Sequence, residues 1–348
     1  MAMGSAFRSQ GDRLLALAFV LMVTLALAGI VSGDTGATFA TTSTNPGNHV
    51  STLLVQPPAS QSAPASSAGG VVNLSWTATP TAPGTGHTLS YNVLRGPAGG
   101  PYAQIATTAG LAYSDTPPAD GTYQYVIQAK VTGGGTFTSA NSTAQNGISD
   151  RTAPTMSITC NGGSCAGWFN ATVSVTVSGV DTGTGMGSVT RNVDAGGQVS
   201  TGGAGVTFNV SGESAGHTVA YFGTDAAGNA SASANQTVKI DLTSPTAATG
   251  ITGVAGQGNG EIDLSWAKGT DALSGVASQT IHRSAAGPGA CPAVNAANYP
   301  TSYAVSAAAT SYTVTGLVSN KKYCFYVTTT DNAGNTKSSA ASGRITAN

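Results

Sequence analysis

The sequence predicts an all-β chain: three tandem sandwiches that follow an N-terminal signal or anchor helix. Three observations carry this. Short runs rich in Val and Thr alternate apolar and polar residues, the period of a strand with one buried face. Gly (47 residues) and Pro (15 residues) break these runs, and no helical pattern of any length follows residue 31. Finally, DRTAPT from Asp150 and DLTSPT from Asp241 share the pattern Asp-x-Thr-x-Pro-Thr. Their separation is close to one small sandwich domain of about 100 residues, and a proline that cannot donate to a strand ladder belongs at a junction.

Composition narrows the function classes. The 348 residues are 40% hydrophobic and 8% charged, with a net charge of −1. That is enough apolar material to fill several small cores. No basic patch is present to attract nucleic acid, so no nucleic-acid partner is expected.

The segments follow in order. Residues 1–33 hold Arg8 and Arg13, then an uncharged apolar run over 14–31 and Ala26-Leu27-Ala28 as a cleavage site. This is the build of a secretory signal, and the run is also about long enough to anchor in a bilayer. Either reading sends the rest of the chain outside the cell, with membrane contact only through this segment if it is not cleaved. Residues 34–53 form a mature N-terminal segment, and VQPPASQSAPASSAGG reads as a flexible spacer. Boundaries at the two Asp-x-Thr-x-Pro-Thr sequences leave domains at 54–149, 150–244 and 245–348.

The first and third domains share a grammar. VVNLSWTA from Val71 alternates around Trp76, and GEIDLSWAK from Gly260 alternates around Trp266, which places both indoles in cores. Later strands are TYQYVIQAKV from Thr122 and KYCFYVTTT from Lys322. These two domains resemble fibronectin type III modules on the second-strand Trp, on Tyr91-x-Val93-x-Arg95, and on Tyr123 and Tyr323 at the start of the sixth strand. The resemblance implies that each of those tyrosines ties its hydroxyl to the preceding connection. The first domain departs from the pattern in AYSDTPPADGTYQYV, and the third has Ile281-His282-Arg283 in its third strand. The middle domain, on GWFNATVSVTVSGVD, AGHTVAYFGTDAAGN and QTVKID, resembles a bacterial immunoglobulin-like repeat. Residues 34–53, on Ala37-Thr38-Phe39 and Asn45-Pro46-Gly47-Asn48, resemble the start of exported proteins related to biofilm-matrix fibre subunits and camelysin-like surface proteins.

Four cysteines fit an exported chain. They allow three pairings, among which sequence does not choose rigorously. Cys160–Cys165 with Cys291–Cys324 keeps each bridge inside one domain and is preferred. Zinc is a poor alternative, because no Cys-x-x-Cys exists and His49, His87, His217 and His282 are scattered.

TDAAGN (224–229) and TDNAGN (330–335) each come directly after an aromatic-rich strand, at the final hairpin of a module. Asp-x-x-Gly-Asn is turn chemistry: Asp caps its own backbone and Gly accepts positive φ. Upstream, DTGTGM from Asp181 and DALSGV from Asp271 fall between the second and third strands, a loop at the same end of a sandwich. Asp181 is therefore expected near Asp225, and Asp271 near Asp331. Two readings stay open: a calcium ion held by carboxylates and carbonyls, or paired Asx turns without metal. No other cofactor is expected.

Catalytic constellations are not evident. The histidines lack acidic partners at useful spacing, and no nucleophile elbow, P-loop or His-Glu-x-x-His occurs. The chain is read as no enzyme. Trp168 beside the small Cys loop, and Tyr299 in an insertion read as exposed, are the candidates for stacking on a sugar. The resemblances imply a non-catalytic secreted or surface protein of a bacterium, acting in adhesion or as a scaffold toward an extracellular protein or polysaccharide. A matrix-fibre subunit and a polysaccharide-binding accessory protein are the alternatives.

Overall fold

The structure, a computed structural model, describes residues 54–348. The expected signal or anchor and residues 34–53 lie outside the described residues. The chain divides into two compact units, the break falling between Arg151 and Thr152. Every element longer than one turn is a strand, and among the described residues no helix is long and apolar enough to cross a membrane.

The described residues of unit one form a single sandwich. One sheet is built from β1 (Ala65–Ser67), β2 (Val71–Ser75) and β5 (Ala112–Asp115), in the order β1-β2-β5. The other runs β4-β3-β6-β7, from β3 (Thr88–Gly96), β4 (Ala103–Thr108), β6 (Gly121–Thr132) and β7 (Thr136–Thr138), with β8 (Gln145–Ser149) also paired to β6. Alternation puts Val72, Leu74 and Trp76 of one sheet against Tyr91, Val93, Tyr125 and Ile127 of the other. Each such buried side chain contributes about 1.5–3 kcal/mol. Trp76 meets Tyr91 edge-on at 5.7 Å between ring centroids. At the rim, Arg95 pairs with Asp115 at 2.8 Å, and Asp115 accepts the Tyr125 hydroxyl at 2.8 Å. Burial, then that carboxylate, pushes the Tyr125 phenol well above its ordinary range.

Unit two holds two sandwiches. The first pairs β9 (Thr155–Cys160), β11 (Val173–Val180) and β14 (Gly205–Val210) in the order β14-β11-β9. Its second sheet runs β10-β16-β15-β12-β13, from β10 (Trp168–Phe169), β12 (Met186–Val193), β13 (Val199–Gly202), β15 (Ser214–Asp225) and β16 (Ala234–Ile240). Its core is dominated by valines, among them Val173, Val175, Val177 and Val189, all fully buried. That is what a β-branched alternating run provides on a pleated surface.

The second sandwich of unit two sets β17 (Thr249–Ala255), β18 (Ile262–Ala267) and β21 (Ser311–Val314) in the order β17-β18-β21. Opposite lie β20 (Thr301–Ser306), β19 (Val276–Arg283), β23 (Phe325–Asp331) and β24 (Thr336–Ser338), in the order β20-β19-β23-β24. A further pair joins β22 (Lys322–Tyr323) to β25 (Ile345–Thr346). Trp266 is in the core, and its indole N–H donates to Gln279 Oε1 at 3.0 Å. The fully buried Gln279 amide in turn donates to the carbonyls of Ala307 and Ala309 at 3.2 and 2.8 Å, which fixes the turn before β21.

Both tyrosines at the start of the sixth strand tie down the connection before them. Tyr123 donates to the Ala119 carbonyl at 3.0 Å, and Tyr323 accepts the Val318 amide at 3.0 Å. Disulfides join Cys160 to Cys165 and Cys291 to Cys324, each inside one sandwich.

Candidate functional site

The two recurring turn sequences in unit two fold alike. Asp181 accepts the amides of Gly183 and Gly185 on one carboxylate oxygen, at 3.0 and 2.8 Å. Asp271 accepts those of Leu273 and Gly275, at 3.1 and 2.8 Å. Gly185 and Gly275 have φ near +80°, where a side chain would strain the backbone, so the glycine four residues on is a geometric requirement. In the final hairpins, Asp225 accepts the Gly228 and Asn229 amides, and Asp331 accepts those of Ala333 and Asn335. The Asn side chain closes each turn by donating to the second carboxylate oxygen, at 2.7 Å for Asn229 and 3.0 Å for Asn335.

The fold brings these turns together in pairs. Asp181 and Asp225 place carboxylate oxygens within 4.8 Å of each other, as do Asp271 and Asp331. A third carboxylate, Asp241, joins the second pair within the same distance. Asp225, Asp241 and Asp331 are 3%, 0% and 2% exposed. Charges buried this deeply are tolerated when amides or cations surround them.

Asp241 opens the linker between the two sandwiches of unit two, and that linker is tied from both sides. Its Oδ1 accepts the Thr243 amide at 3.0 Å and its Oδ2 accepts the Ser274 amide at 3.1 Å. Burial disfavours the Asp241 charge, but hydrogen bonds from Ser274 and Thr243 outweigh it and hold the pKa below the ordinary carboxylate range. From the preceding sandwich, Glu213 accepts the Leu242 and Thr243 amides, and the Phe169 carbonyl accepts the Asp241 amide at 2.9 Å. From the next sandwich, Asn335 donates to the Asp241 carbonyl at 2.9 Å, and Thr246 and Thr270 exchange backbone and hydroxyl bonds. The hexapeptide TDNAGN is thus both a hairpin and a clamp on the linker. Sequence reasoning used Asp241 only to mark a boundary. The signal that would have found it is its place directly after a strand, in a motif whose proline stiffens the linker.

One buried polar atom in this region has no counterpart. Asp181 Oδ1 is buried without a hydrogen-bond partner. With the nearby Asp225 carboxylate it presents oxygen ligands of the kind a hard divalent cation takes. At the second group, Asp241, Asp271 and Asp331 offer one oxygen each, with Asp271 Oδ2 outside the Asx turn that occupies Oδ1.

The remaining candidates occupy other parts of unit two. Trp168 lies on β10, half-buried, with the Lys239 ammonium 5.7 Å from its ring centroid. Tyr299 does not lie on an exposed face: it is 2% exposed, packed edge-on against Tyr326 at 4.8 Å, with its hydroxyl donating to the Pro292 carbonyl. The disulfide to Cys324 draws the insertion over this ring, which removes Tyr299 as a stacking platform. One histidine departs from the expectation that none has an acidic partner. His217 has an acidic partner, Asp194, at 2.7 Å, and its other ring nitrogen meets the Gly212 carbonyl at 3.0 Å. The turn after β12 supplies that carboxylate from a distance in sequence that no spacing rule reads. Burial opposes the imidazolium, but Asp194 and Gly212 outweigh it and raise the His217 pKa.

No family model matches the chain, and no curated protein matches it. Among solved structures, the chicken CNTN1 FN1–FN3 domains align at 16% identity, over 84% of this chain and 99% of that one, with a TM-score of 0.33. Titin domains A168–A170 align at 15% identity, over 85% and 96%, with a TM-score of 0.42. The strand orders of the three sandwiches define the fold.

Proposed function

We propose that this is a non-catalytic extracellular or surface protein of a bacterium, in which the two stiffly joined β-sandwiches of unit two act as a scaffold or in adhesion. The observation that carries the reading is the linker at Asp241, whose carboxylate, carbonyl and amide are all bonded to the sandwiches on either side. A linker tied this way transmits orientation instead of acting as a hinge. The two disulfides agree with an oxidising compartment. Fractionation of the native host, with intact mass taken before and after reduction, tests the placement. The expected protein is in the medium or on the envelope, and its mass rises on reduction by the hydrogens of both disulfides. A reduced protein in the cytosol contradicts it.

A second reading concerns the ion. The orphaned Asp181 Oδ1 favours calcium at the acidic turns over metal-free Asx turns alone. Millimolar calcium then raises the melting temperature of the protein relative to chelator, and Asp181→Asn together with Asp271→Asn abolishes the rise. A melting transition that calcium and chelator leave unmoved removes the ion from the account.

A further inference from the structure

The opposite end of the third sandwich holds a different cluster. Residues 286–289, in the insertion after β19, face Asn320, Lys321, Lys322 and Arg344 across a cavity of about 630 Å³. That volume suits a small ligand. No carboxylate lines it, and among the described residues neither lysine nor Arg344 takes part in an ion pair. Arg344 instead spends its donors on carbonyls: those of Gly289, Ala290 (3.0 Å) and Lys322 (3.3 Å). Its positive charge is fixed in place and not neutralised.

The walls are held as well as charged. Cys291–Cys324 pins the insertion to the sixth strand, and the Gly287 amide donates to the Lys322 carbonyl at 3.2 Å. On the facing turn, Asn320 adopts φ +58° and sends its amide to the Ala347 carbonyl. Three cations gathered on a preformed wall, in a chain with only 13 Lys and Arg, raise the local potential enough to concentrate anions.

We infer that this cavity binds an anionic saccharide segment, its acidic groups on Lys321, Lys322 and Arg344 and its hydroxyls on the side-chain amide of Asn320 and the backbone of residues 286–289. The lining selects among anions. No aromatic ring is present on which a nucleobase would stack, and no long apolar side chain is present to cover an acyl chain. Small residues, backbone polar groups and one amide suit a hydroxyl-rich ligand. The inference takes only the source of its ligand from the extracellular placement proposed above; the binding does not depend on that placement.

The test is calorimetric titration of the full oxidised protein with oligogalacturonate, with neutral dextran oligosaccharides and inorganic phosphate as comparisons. Oligogalacturonate binds, the affinity falls with salt, and the neutral oligosaccharide does not bind. Lys321→Ala with Lys322→Ala weakens binding about tenfold or more, while Lys321→Arg with Lys322→Arg keeps it. Lys268→Ala with Lys337→Ala, which removes the same charge from exposed positions elsewhere, leaves it unchanged. Three results overturn the inference: no binding of oligogalacturonate at millimolar concentration, equal loss in the two Ala pairs, or phosphate binding as tightly as the oligosaccharide. Circular-dichroism melting confirms that each variant is folded. A protein found in the cytosol that still binds oligogalacturonate retires the placement and keeps the site.

Discussion

The third sandwich has two ends of opposite character. Along the β19–β23 pair, Val276 faces Asp331 at one end and Arg283 faces Phe325 at the other. The Asp331 end collects Asp241, buried like Asp331 itself, and the half-buried Asp271, with turn and linker amides around them. The other end collects Lys321, Lys322 and Arg344 around an open cavity. The difference is in how each charge is balanced. The carboxylates are satisfied by turn and linker amides, so removing one breaks structure. Both lysines are exposed and carry no ion pair, so removing them changes what the surface attracts.

The largest effect is expected where the carboxylate has most partners. Asp331→Ala removes the acceptor of two amides and of the Asn335 side chain, at a site 2% exposed. The expected cost is about 2–4 kcal/mol, measured by denaturant unfolding in chelator. A loss below about 1 kcal/mol would put the acidic end in the same class as the basic one.

An intermediate effect is expected from acid. The folded pKa of Asp241 is depressed. Its contribution is therefore complete above the ordinary unfolded value of about 3.9, and is lost as pH falls through the lower folded value. Melting temperature falls through that acid window in the native protein, and Asp241→Asn flattens this part of the profile. An unchanged profile in the variant assigns the acid sensitivity to other carboxylates.

The smallest effect is expected at the cationic end. Lys321→Ala with Lys322→Ala changes stability by less than about 0.5 kcal/mol, since both side chains are exposed. A larger loss means that the lysines hold the insertion in place, and the contrast between the ends disappears.

The same contrast explains what was legible in the sequence. The acidic turns are local: Asp271 and Gly275, or Asp331 and Asn335, fall within one turn, and their repetition in the preceding sandwich announces them. Strand alternation placed Trp76 and Trp266 in their cores for the same reason, because a period of two is written over a few residues. The cationic cavity joins three stretches far apart in the chain, and only the pairing of β22 with β25 brings Arg344 beside Lys322. Tyr299 was misread because a polar, Asn-rich insertion looks exposed, whereas the Cys291–Cys324 bridge folds it inward. Asp194 reaches His217 through strand register, which sequence spacing does not carry.

The linker after Asp241 is locked between its two sandwiches. Hydrogen exchange of the amides of Thr243 and Ser274, both donors to the Asp241 carboxylate, tests it most directly. Both amides are expected to be protected in the native protein; in Asp241→Ala the Ser274 amide exchanges fast, while Thr243, which also donates to Glu213, and the strands of each sandwich stay protected. Exchange in the native protein as fast as in an exposed turn would contradict it, and would make the joint a hinge.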